Sequence, residues 1–162
     1  MEASGILGAL EASALARAMR GALWLYPIVE IAHITGIAVL VGSVSAIDLR
    51  LLGLGRAIPV RALGSFLLGW AWLGFAIVVP TGLAMFSTHA MEFVKNPAFR
   101  LKLLLLAVAA LNAATFHLTV YRTAIDWNRE DAPTPGTAKL AALLSLALWL
   151  GAIACGRLIA YV

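Results

Sequence analysis

The sequence predicts an all-α protein, a four-helix transmembrane bundle with a short N-terminal interfacial helix, and three observations carry that prediction. Of the 162 residues, 62% are hydrophobic and only 12% charged, and a mean hydropathy of +0.95 lies far outside the range of a water-soluble domain. Windows free of formal charge cover residues 21–47, interrupted only by Glu30, and residues 62–88, 103–121 and 140–156. Each approaches or exceeds the roughly 20 residues that a helix needs to cross the hydrocarbon. Spans of about 22–50, 62–88, 100–122 and 138–161 follow. The connections between them are too short to fold alone, so residues 1–162 are expected to form a single integral membrane domain with both termini on one side.

A net charge of +4 and a pI near 9.7 point to lipid headgroups and not to nucleic acid, because the basic residues gather at the ends of the apolar windows. Cys155 is the single cysteine, which rules out an intrachain disulfide. The first 20 residues place Glu2 ahead of any basic residue and lack a long apolar core, so no secretory signal is expected. Residues 3–20 instead predict an amphipathic helix lying along the bilayer, with Ala3, Leu7, Leu10, Ala14 and Ala18 on one face.

Trp24 and Tyr26 suit the membrane interface, and Pro27 falls in the opening turn of the first span, where a missing N–H costs little. That helix is expected to leave the membrane near Asp48 and Arg50. Pro59 then stops the pattern. The second span is rich in Gly and Trp (Gly64, Gly69, Trp70, Trp72, Gly74, Gly82), which allows close approach of a helix or a flat ligand, and Pro80 should bend it. Asn96 and Pro97 mark a turn and the start of the third span. A solvated loop over residues 123–139 leads to the fourth. Basic residues divide evenly, with Arg17, Arg20, Lys95, Arg100, Lys102 and Arg157 on the terminal side and Arg50, Arg56, Arg61, Arg122, Arg129 and Lys139 on the other. Orientation therefore does not follow from the positive-inside rule.

Ionisable groups inside spans ask for a partner or a task. Glu30 and His33 share a stripe of the first span with Ile37 and Leu40, and His117 stands on the third beside Ala110, Ala113 and Ala114. Small neighbours leave room beside an imidazole for a planar macrocycle ligated at iron. His33 and His117 are therefore the expected axial ligands of a haem b. Glu30, Thr35 and Thr115 are candidates to fix a histidine tautomer, and Glu30 alternatively relays protons. Counted at 1.5 Å per residue, His33 lies about 16 Å and His117 about 25 Å below the terminal-side surface. Tilt and a deeper start of span three are expected to reduce that offset to a few ångströms. Lys102 and Arg157 are placed to meet propionates, or alternatively lipid phosphates. A histidine in a span also serves simply as a hydrogen-bonded packing residue. His89, with Met85 and Met91 nearby, offers a separate set of Cu(I)-type donors. Glu30 and His33 also form an E-x-x-H pair, but a di-iron site needs more acids than the spans contain.

The segments EIAHITGIAVLVG, NPAFRLKLLLL and NAATFH resemble an uncharacterised bacterial family of small four-span membrane proteins. More distantly, a histidine early in span one and a lysine followed by a histidine in span three is similar to the four-helix membrane protoporphyrinogen oxidases and the membrane domain of copper-resistance D proteins. That resemblance implies a haem-binding bundle of the bacterial inner membrane with His33 as ligand and Lys102 and His117 at the matching positions. The interval from Lys102 to His117 is about one turn longer than in the oxidases. The function expected is cytochrome b-like electron transfer, with lipid, a quinone and a redox partner protein or second copy as partners. A cofactor-free assembly subunit and a porphyrinogen-oxidising enzyme are the alternatives.

Overall fold

The computed structural model describes residues 2–123 and 133–162, so most of the solvated loop expected over 123–139, including Arg129, lies outside the described residues. Among the described residues there are helices and no strand. They are α1 (Glu2–Glu11), α2 (Ala14–Gly21), α3 (Leu25–Leu52), α4 (Val60–Thr88), α5 (Ala90–Lys95), α6 (Pro97–Leu118), a 3₁₀ turn (Tyr121–Thr123) and α7 (Gly136–Leu158). The four helices α3, α4, α6 and α7 are each long and apolar enough to cross a membrane.

Local chemistry sets their ends. Gly53, at φ +112°, closes α3: its N–H bonds Arg50 O and the Leu54 N–H reaches Leu49 O, the paired bonds of a Schellman stop that favours glycine. Asn96 caps α6 by accepting from Phe99 N–H at 3.0 Å, and Pro97 takes the first helical position. The Asn96 side chain also donates to Ile159 O and Val162 O, tying the start of α6 to the end of α7. The N-terminal segment is not one helix. Ser13 interrupts it and accepts from Ala16 N–H, so a fresh helix begins after the break. Both pieces are anchored on the bundle: Arg20 donates to Thr88 O, Glu11 Oε1 accepts from Met91 N–H, and Ala16 and Met19 are buried.

Short connections after α3 and across α5 make α3, α4 and α6 successively antiparallel, and packing places the spans in the order α4–α3–α7–α6, with α4 and α6 not packed along each other. The tightest joint is between α3 and α4. A Cβ on Gly74 would stand 2.6 Å from Leu40 N and 2.8 Å from Gly36 O, and one on Gly36 would stand 2.9 Å from Val78 Cγ2. The α4 and α6 ends meet instead through side chains. Phe86 stacks on Phe99 at 5.4 Å, with Phe93 against both. At the opposite end Leu51, Val60, Phe116, Ala138 and Ala142 form the buried apolar cluster.

Candidate ligand site around His33

His33 sits on the inward stripe of α3 that also buries Gly36, Leu40 and Ser43. Its ring is half-buried and lies against the α4 backbone, where a Cβ on Gly82 would come within 3.1 Å of Cε1. Nδ1 is 2.9 Å from Thr81 Oγ1. Thr81 has one hydroxyl proton and donates it to Ile77 O at 2.6 Å. A hydroxyl committed to that carbonyl can accept from Nδ1–H, an arrangement that would leave the lone pair on Nε2. This is the tautomer a metal-ligating histidine adopts when an oxygen holds its other nitrogen.

Lys102 approaches from α6. Its side chain is half-buried against α7, with Nζ 3.4 Å from the Cβ position of Gly156 and within electrostatic range of Cys155 and of His33. Its ammonium makes no hydrogen bond or ion pair among the described residues. The site thus presents an imidazole lone pair and an uncommitted cation on the terminal side of the bundle, beside two spans that do not close on each other.

The other expected ligands lie elsewhere. His117 is exposed near the far end of α6, donating Nδ1–H to Ala113 O at 2.9 Å beside Phe116 and Tyr121. It stands fifteen residues beyond Lys102, about 22 Å along the helix. Because Lys102 is near the level of His33, one iron cannot take both imidazoles. The expected offset of a few ångströms is corrected to several helical turns: α6 starts at Pro97 and runs almost its whole length before reaching His117. Ala110, Ala113 and Ala114 are exposed outward, while α6 buries Ala98, Ala109 and Phe116.

Glu30 is also exposed and makes no hydrogen bond to His33. Thr81 holds the position expected of it, while Thr35 bonds Ile31 O. Arg157 turns outward, donating to Tyr161 Oη at 2.6 Å with its guanidinium over that ring, and so stands apart from Lys102. His89 lies exposed at the α4–α5 joint, with Nδ1 3.1 Å from Thr88 Oγ1. Among the described residues no group of three or more His, Cys, Asp or Glu could hold a metal ion. Gly82 is one of the glycines expected to allow close approach, whereas Thr81 is not among the expected site residues. A threonine directly after an intrahelical proline was the available signal, since its hydroxyl can bond the carbonyls of the loosened turn.

Fold and site together define a multi-pass, four-helix membrane protein with an inward histidine and lysine. Over residues 18–162 the chain matches the Family of unknown function (DUF6644), and it belongs to that family. No curated protein and no solved structure matches it.

Proposed function

We propose that this is a b-type haem-binding protein of the bacterial inner membrane, with His33 as the iron ligand and Lys102 as the partner of a propionate, serving cytochrome b-like electron transfer. The observation that carries the reading is the His33–Thr81–Ile77 chain, which suits an Nδ1–H tautomer with Nε2 as the donor to iron, together with the Lys102 ammonium within electrostatic range of the ring. One imidazole fits the group; the pair His33 and His117 does not. Bound haem would supply one-electron redox chemistry. The chain's own part is to hold the ring tautomer through Thr81, let the ring lie close to the α4 backbone at Gly82 and neutralise a carboxylate with Lys102. A quinone and a redox partner protein or second copy are the proposed partners.

The position of His117 favours a second reading. With only His33 available from this pair, the Lys102 ammonium would be free to hold a carboxylate-bearing substrate, so a porphyrinogen-oxidising enzyme is the alternative role for the same site. The test is the absorption spectrum of detergent-purified protein from haem-replete cells. A Soret band with sharpened visible bands after dithionite is expected. Reoxidation of the reduced haem by a quinone without porphyrinogen turnover selects electron transfer, and turnover of a porphyrinogen selects the enzyme. A colourless preparation overturns both and leaves a cofactor-free subunit.

A further inference from the structure

Asp48 lies one turn inside the end of α3, in a candidate membrane span, and is only 6% exposed. Ser145, itself buried on the facing helix α7, is the polar side chain that faces its carboxyl. One carboxyl oxygen, Oδ2, is buried without any partner.

The cations that could neutralise it are directed elsewhere. Arg50, two residues on, is buried, but its guanidinium donates to Ile58 O and Arg56 O in the α3–α4 loop. Arg61 stands on the exposed side of α4, and Lys139 lies in the first turn of α7. From the 3₁₀ turn Tyr121 directs its phenol at Gly64 of α4. No ion pair to Asp48 exists among the described residues. An ionised carboxylate enclosed this way, with one oxygen unpaired, loses its hydration and gains no counter-charge. A metal ion would need more ligands than one carboxylate and one hydroxyl provide.

We propose that Asp48 and Ser145 form a proton-binding site enclosed between the first and fourth spans. The carboxyl takes a proton on its unpaired oxygen, with the Ser145 hydroxyl as its polar neighbour. The site is separate from His33, fifteen residues away on the same helix or about 22 Å, and does not depend on a bound cofactor.

Infrared spectra of the purified full-length protein in lipid test it. The wild type is expected to show a neutral-carboxyl C=O band that Asp48→Asn loses, with Glu30 cancelling in the difference. Well above its midpoint, the band should fall about tenfold per pH unit. Ser145→Ala should move the midpoint, which a purely structural Asp48 would not allow. Should Asp48→Asn fail to fold, the same titration is read in Glu30→Gln. Absence of the band at every pH at which the protein stays folded overturns the proposal, as does a Ser145→Ala band that titrates at the wild-type pH.

Discussion

Gly74→Ala is expected to be among the most destabilising single-methyl changes in the chain. The added Cβ would meet Leu40 N at 2.6 Å and Gly36 O at 2.8 Å, both backbone atoms that cannot swing aside. The first two spans must separate, which breaks the contact of Gly36 with Ile77 and Val78 and shifts Thr81 relative to His33. Overpacking of this kind costs about 3 kcal/mol, and the better helix propensity of alanine returns about 1. A net loss of about 2 kcal/mol is therefore expected from unfolding in mixed micelles followed by tryptophan fluorescence. Gly69→Ala, with nothing within 4 Å of the new methyl, is the control and should stay within about 0.5 kcal/mol of wild type. Gly64→Ala should fall between them, because its 2.7 Å neighbour is the movable Tyr121 hydroxyl. Equal stability of the Gly74 and Gly69 variants would show that the α3–α4 contact does not hold the bundle.

That joint also marks the boundary of what the sequence could convey. The spans were legible because a charge-free run of bilayer length has few alternatives, and Asn96–Pro97 announced the start of α6 by local rules alone. Pairing was not. Gly74 and Gly82 were readable as permissive positions, yet nothing local says that one meets Leu40 and the other His33. Small residues beside His117 suggested open internal space, but a small-residue stripe suits a lipid-facing surface equally, and α6 turns that stripe outward. Asp48 read as the point where α3 leaves the membrane, since acids near span ends usually reach water. Its enclosure depends on Ser145, ninety-seven residues later. The break at Ser13 was missed for a different reason. An apolar period continues across it, while the capping serine competes with the helix for its own backbone.

The two histidines, alike in the sequence, are expected to behave in opposite ways. If Nε2 of His33 is the iron ligand, His33→Ala removes the only imidazole beside Lys102 and should abolish the Soret band of the purified protein. His117→Ala should leave it intact, because that ring is exposed several turns away and bonds only its own helix. Thr81→Val keeps the shape of the site but removes the acceptor that fixes the Nδ1–H tautomer. Losing such an orienting partner typically lowers affinity about 10–100-fold. Lys102→Met retains most of the apolar stem and deletes the charge, so it should weaken haem retention without destabilising the bundle. An undiminished band in His33→Ala would remove His33 from the site. A band lost in a folded His117→Ala protein would mean that the imidazoles act together, which this arrangement of α3 and α6 does not provide within one chain.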